Sequence, residues 1–278
     1  MGRVVFKISV GFVAGALILL AISLYLSNLY LKDQQRLAET GDLSRAMEKV
    51  EWASRLDPFS SAPPSSKAYL ELRQGRVEAA RDAFQEAVDR DPYNYKNYEA
   101  LGNLQRQQLG DPEEAVKSYR KALERNPHAA TVVSRLGEAL LSAGTSTENL
   151  QEARTQYEWL QERGRIPLKD LYTLGKIQTR LGEPEQAIET FEEAKERAGT
   201  EPEESSDESA DESRQDQRRA FLDSLDLAIA DALVVQGSVE EARAYLAQSE
   251  AEQAPTVLAL LNEDPVSYRE SVLDAPIN

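Results

Sequence analysis

Apolar and polar positions fall into three regimes along the chain. From Ile8 to Leu31, 24 residues, there is no charged side chain. At 1.5 Å per residue such a helix is about 36 Å long, enough to cross a hydrocarbon core of about 30 Å. Arg3 and Lys7 precede the run, Lys32 follows it, and Tyr25 and Tyr30 lie toward its far end, where aromatic rings favour a bilayer interface. A cleaved signal peptide is the rival reading, with Ala21 to Ser23 as its processing site, but the apolar run continues past that point.

Beyond Lys32 the spacing turns helical and repeats. Gly41, Ala46, Ala53 and Pro58 form one set, and Gly75, Ala80, Phe84, Ala87 and Pro92 form the next. Gly110, Ala115, Tyr119, Ala122 and Pro127 form a third, so the prolines recur after 34 and 35 residues. Small residues and one large residue at i, i+4 and i+7 share one helix face, where alanine permits close approach of a second helix. The glycine ends the preceding helix and the proline stops the following one. A period near 34 predicts an α-solenoid of helical hairpins.

These markers resemble the tetratricopeptide repeat, a helix A–turn–helix B unit. Leu101–Gly102, Leu136–Gly137 and Leu174–Gly175 match the pair favoured in helix A of that family. The resemblance implies repeats over about 29–60, 61–94, 95–128, 129–166 and 167–200. The fourth departs from the pattern, with a longer turn after Gly144 and Leu160 where alanine is usual. The first helix A is expected to continue from the apolar helix.

The third regime begins at Glu201. Residues 201–217 hold eight carboxylates and one arginine and have no apolar face, which predicts a disordered acidic linker. A sixth hairpin follows, marked by Ala230, Gly237, Ala242 and Leu246, with an apolar face of Phe221, Leu225, Leu227, Ile229 and Leu233. Two short helices should then cover the last repeat. The expected organisation is a transmembrane anchor over 1–31, a repeat array over 32–200, the linker over 201–217, and a hairpin with a helical cap over 218–278. The fold class is all-α.

A net charge of −16 argues against nucleic acid as a partner, since phosphate binding needs a basic footprint. The chain has no cysteine, which removes disulfides, thiolate metal sites and a cysteine nucleophile. His128 is the only histidine and sits in a repeat junction. There is no glycine-rich phosphate loop and no zinc-binding HExxH pattern, and the acidic run lacks the glycine of a calcium loop. No cofactor, metal or catalytic residue is expected. An enzyme with a site within 219–278 is the competing class, and convergent titratable groups in a polar pocket there would favour it.

The resemblance implies a binding groove along the helix A faces. Mapped onto this chain it includes Tyr69, Arg73, Lys96, Asn103, Arg106, Lys169, Tyr172, Lys176 and Arg180, with Glu99 and Glu138 opposing them. Basic and aromatic residues in that pattern suit an extended acidic segment or a carboxylate. The full set of the family's carboxylate-clamp members does not fall into register. The acidic run over 201–217 could itself occupy the groove, or serve only as a solubilising spacer.

The expected function is a membrane-tethered scaffold that recruits protein or peptide partners. The short basic start places the amino terminus in the cytoplasm and the repeats on the extracytoplasmic side of a cell envelope. The alternatives are an accessory factor in bacterial surface-polysaccharide assembly, from a likeness of residues 55–92 to O-antigen-ligase-type proteins, and an organelle import receptor with the opposite orientation.

Overall fold

The computed structural model describes residues 2–200 and 208–277, and all regular structure among them is helical. The chain divides into two compact units, the first ending at Val132 and the second beginning at Val133, within one helix.

The first unit pairs α1 (Gly2–Glu39) with α2 (Leu43–Leu56), α3 (Ala62–Arg73) with α4 (Val77–Arg90), and α5 (Tyr95–Gln107) with α6 (Pro112–Arg125). Each hairpin buries the small face that the spacing implied: Ala46 and Ala53 on α2, Ala80, Phe84 and Ala87 on α4, and Ala115, Tyr119 and Ala122 on α6. Gly75, at φ +72°, shows how the turns are made. Its left-handed backbone lets the Arg76 amide reach the Glu71 carbonyl at 2.9 Å while its own amide reaches Leu72 at 2.9 Å. These bonds satisfy carbonyls that the helix end would leave open.

Successive hairpins are joined by polar ties as well as apolar contact. Buried Asn97 on α5 donates its amide to the Ala87 carbonyl at 3.1 Å and the Asp91 carbonyl at 3.3 Å. Its carbonyl oxygen accepts from the Ser65 hydroxyl at 3.3 Å, so one side chain ties α5 to both helices of the preceding repeat.

The apolar segment and the first helix A are one uninterrupted helix. The boundary expected at residue 31 therefore falls inside α1, and α2 packs back along α1 as far as Ser23. The Ser23 hydroxyl donates to the Leu56 carbonyl at 2.7 Å, and buried Ser27 donates to the Ala53 carbonyl at 3.0 Å. Tyr30 stacks on Trp52, with ring centroids 6.5 Å apart. Residues 13–22 make no such contact and expose Val13, Leu17, Ile18, Leu19, Leu20 and Ile22.

The second unit contains most of α7 (Ala130–Ala143), then α8 (Thr147–Gln161), α9 (Leu168–Arg180), α10 (Pro184–Thr200), α11 (Glu208–Gln236), α12 (Val239–Gln248), α13 (Ala254–Glu263) and α14 (Pro265–Asp274). Leu160, the departure noted in the fourth repeat, is buried in its core. Gly137 and Gly175 on the A helices lie under Tyr157 and Phe191 of the B helices. A side chain at either position would meet the ring, so the Leu–Gly pairs record close helix approach. Ala230, Val234, Ala242, Leu246, Ala254 and Leu261 form a cluster that joins α11 and α12 to α13.

Of the run expected to be a linker, residues 201–207 lie outside the described residues. Its remainder, 208–217, is the first part of α11. Absence of an apolar face does not prevent helix there. Glutamate, alanine, glutamine and arginine favour it, and the packed apolar stretch from Leu225 onward extends backwards at little cost.

Candidate functional site

Helix A residues expected to line a groove are distributed over both units. In the first unit, Tyr69 on α3 is exposed and meets Phe84 edge-on, with centroids 5.1 Å apart. Lys96 is exposed near the start of α5, and Arg106 is half-buried near its end. Two others are engaged within the array. Arg73 donates to the Ala38 carbonyl at 2.6 Å, closing the end of α1, and Asn103 accepts the Tyr119 hydroxyl at 2.8 Å. Thr131 approaches Glu99 at 3.5 Å.

In the second unit α9 carries the remaining four on successive turns. Exposed Lys169 pairs with Glu138 at 3.2 Å. Tyr172 packs against Phe191 and Phe221, each with centroids 5.9 Å away. Lys176 sits 5.7 Å from the centre of the Tyr172 ring. Its ammonium donates to the Pro276 carbonyl at 2.9 Å, and Arg180 donates to the Ala275 carbonyl at 2.5 Å. Ile277, next in the chain, is buried. A cavity of about 120 Å³ lies beside these contacts, lined by Tyr172, Lys176, Arg180, Asp231, Val272 and Ile277 among others. This is where the structure brings candidate residues together. The side chains face an extended stretch of the same chain rather than open solvent.

Asp231, which the sequence did not single out, forms the floor of that region. Burial pushes its carboxyl up to about 6, against the opposing effects of the Tyr268 hydroxyl at 2.6 Å and the Lys176 charge. Burial lowers the pKa of Lys176, while Asp231 works the other way. Tyr172 is shifted up by burial and then by the Asp231 charge. The only hint of Asp231 in the sequence is a carboxylate inside the apolar run Ala230 to Val235.

A second polar cluster lies among α10, α11 and α12. Asp226 accepts from Lys195 at 2.5 Å, the Tyr245 hydroxyl at 2.8 Å and the Ser249 hydroxyl at 2.7 Å. Burial alone would raise the Asp226 carboxyl, but these donors outweigh it and hold it below its ordinary value. For Lys195, burial opposes the charge, and bonds to Asp226 and Tyr245 prevail and raise its pKa. Convergent titratable groups are thus present in 219–278. In this cluster the shifts favour the ionised Lys195–Asp226 pair, as in a structural tie. Exposed His128 stands in the turn after α6, its amide bonded to Asn126 at 3.2 Å. Among the described residues no group of three or more histidine, aspartate or glutamate side chains is arranged to hold a metal.

The hairpin geometry, buried alanine faces and ringed glycines define a helical-repeat protein of the kind that binds other proteins. Two tetratricopeptide repeat models match, one at residues 35–95 and 100–155 and the other at 171–200. The chain belongs to the tetratricopeptide repeat family. A curated relative, the CTR9 homolog of Arabidopsis thaliana, is 31% identical over 129 residues, 45% of this chain. The match spans only 11% of that relative's length. Among solved structures, a tetratricopeptide repeat protein from Parabacteroides merdae is similar over 90% of each chain, with a TM-score of 0.55 and 16% identity. The MamA protein covers 64% of this chain and 96% of its own, with a TM-score of 0.54 and 17% identity. YrrB, described as a tetratricopeptide protein with an unusual peptide-binding site, covers 62% of this chain and 86% of its own, with a TM-score of 0.51 and 20% identity. At these identities the likeness is one of fold.

Proposed function

We propose that this chain is a membrane-tethered scaffold whose helix A faces recruit protein or peptide partners at a bilayer surface. A tetratricopeptide array is a protein-interaction scaffold, and YrrB supplies a precedent for peptide binding on this fold. The observation that carries the tether is α1. Its residues 13–22 present apolar side chains on all sides with nothing packed on them, and the same helix then becomes the first wall of the repeat array. By length and composition α1 can cross a membrane. A helix apolar all round and unpacked is poorly suited to water.

The serine bonds bear on where such a tether would end. Leu56 and Asp57 close α2 at the level of Ser23, and charged Arg55 lies beside them. Placing residues 23–31 in hydrocarbon would carry these groups in as well, at a cost of several kcal/mol. The tether therefore ends near Ile22 and takes in Val4 to Lys7 as well, since Ile8 to Ile22 alone is 15 residues, about 22 Å of helix. Exposed Tyr25, Trp52 and Phe59 then flank the headgroup region, where aromatic rings are favoured. Arg3 and the short basic start support an amino terminus in the cytoplasm and repeats outside it, against the opposing Lys32, Arg36 and Arg45 on the far side. Exposed Lys96, and exposed Lys169 beside its partner Glu138, are the groove cations that would meet acidic segments of a partner.

Photocrosslinking in the native membrane tests this reading. Crosslinkers at Lys96 and at Lys169 should each capture protein, whereas one at Lys117 on the exposed side of α6 should not. Removing residues 1–22 should abolish capture. Adducts to lipid alone, or identical adducts from Lys117, would overturn it.

A further inference from the structure

We propose that Ala275–Ile277 is a resident ligand of the α9 face, held in cis on the site that takes an extended partner segment containing proline followed by an aliphatic residue. The inference rests on reading that face as partner-binding, and it replaces the acidic run with a different internal occupant.

The mode of contact carries it. Lys176 and Arg180 bind the carbonyls of Pro276 and Ala275, main-chain atoms that any peptide supplies. Ala275 is in the polyproline conformation, at φ −61° and ψ 143°, which the following proline favours. The segment thus lies extended on the face instead of continuing α14. Ile277 supplies one buried aliphatic anchor. Two main-chain bonds to cations, a preset extended backbone and a single apolar anchor make up a peptide-recognition mode.

The arrangement is also suited to exchange. The segment is attached through α14, which packs on α11 by the Tyr268–Asp231 bond and an Arg269 bond to the Val235 carbonyl at 3.3 Å. Those contacts remain when Ala275–Ile277 lifts away. The cavity of about 120 Å³ beside Ile277 leaves room for a larger aliphatic or aromatic anchor on an incoming segment. A tethered occupant has an effective concentration in the millimolar range, so a partner must exceed a weak internal competitor. Such a device keeps the face closed until a suitable partner is concentrated at the membrane.

The test uses the full chain in detergent micelles and a fluorescent peptide of residues 273–278. Ile277→Asp removes the anchor from the resident segment. Anisotropy should show this variant binding the peptide at least about tenfold more tightly than the unaltered chain, as expected for loss of a millimolar competitor. Adding Lys176→Ala and Arg180→Ala should abolish that binding. Equal affinities of the first two chains would overturn resident occupancy while leaving α9 as a binding face. Binding that survives the alanine pair would overturn the face itself, and absence of binding at millimolar peptide would overturn both.

A second measurement does not depend on how the aspartate variant folds. Since the chain lacks cysteine, Ile277→Cys introduces a single thiol. Its modification by a thiol reagent should be slow and should accelerate severalfold when excess peptide displaces the segment. A rate unaffected by peptide would overturn exchange.

Discussion

Ser23 donates its hydroxyl to the Leu56 carbonyl at 2.7 Å, and through that bond the last turn of α2 is fixed to the helix that leaves the array. Ser27 repeats the contact one turn later, at the Ala53 carbonyl. The first repeat is consequently held against α1 and does not hang from it by a loose joint. Replacing both serines by alanine should lower the stability of the first repeat by about 1–2 kcal/mol, the usual range for two hydrogen bonds, one of them buried. Denaturant melts of the unaltered and doubly substituted chains in micelles would measure it. No change would mean that apolar packing alone holds α2 in place.

Close packing of glycine beneath a ring makes a second prediction. A β-carbon at Gly102 would fall 2.8 Å from the Tyr119 ring, and one at Gly137 would fall 2.6 Å from the Tyr157 ring. Both rings are fully buried. Gly102→Ala and Gly137→Ala should each destabilise by about 1–3 kcal/mol, although alanine favours helix. Gly15→Ala, where nothing lies within 4 Å, is the control and should be neutral or slightly stabilising. Thermal unfolding of the three variants distinguishes them.

Asn97 joins three helices, so its loss should exceed that of an ordinary surface polar group. Asn97→Ala leaves the Ala87 and Asp91 carbonyls short of a donor and removes the Ser65 partner. The expected cost is about 1–3 kcal/mol. Asn97→Asp should cost as much or more above pH 5, because an ionised carboxylate cannot donate to either carbonyl.

Asp231 gives a pH-dependent prediction of definite sign. Its carboxyl titrates near 6 when folded, against about 3.9 in an unfolded chain. Between those values the native state holds a proton that the unfolded state lacks, so this group favours the native state increasingly as pH falls from 7 toward 4. Above pH 7 the buried charge is a burden of about 3 kcal/mol, about two pKa units at about 1.4 kcal/mol each, a shift in which the Lys176 attraction is already included. Asp231→Asn, which can still accept from Tyr268, should therefore be more stable than the unaltered chain at pH 8, with the difference vanishing near pH 4. A difference independent of pH would assign the effect to packing instead.

The sequence showed the helix pairs clearly because their causes are local. Glycine turns, helix-stopping prolines and alanine spacing each act within a few residues, and the buried Ala80, Phe84 and Ala87 lie where the spacing put them. The aromatic and basic residues of α9 were also visible as a helical face. Their occupant was not, because Lys176 and Pro276 are 100 residues apart, and a main-chain carbonyl leaves no side-chain signature. The packed limit of α1 was hidden for a similar reason. Ser23 and Ser27 look like ordinary small residues in an apolar run until α2 is laid against them. Acidic composition suggested disorder at 208–217, where helix propensity and a packed neighbour on the same helix prevail.

The proposed membrane tether is tested most directly by a cysteine scan of α1 in lipid nanodiscs, each single cysteine carrying an environment-sensitive fluorophore. The chain has no native cysteine to remove. Emission should report hydrocarbon from Val13 to Leu20, pass through an interfacial value near Tyr25, and lose its sensitivity to lipid quenchers from Ser27 onward, where the packed array begins. Aqueous emission from Val13 to Leu20, or lipid quenching that continues through Leu31, would contradict a tether that ends where the Ser23–Leu56 bond begins the array.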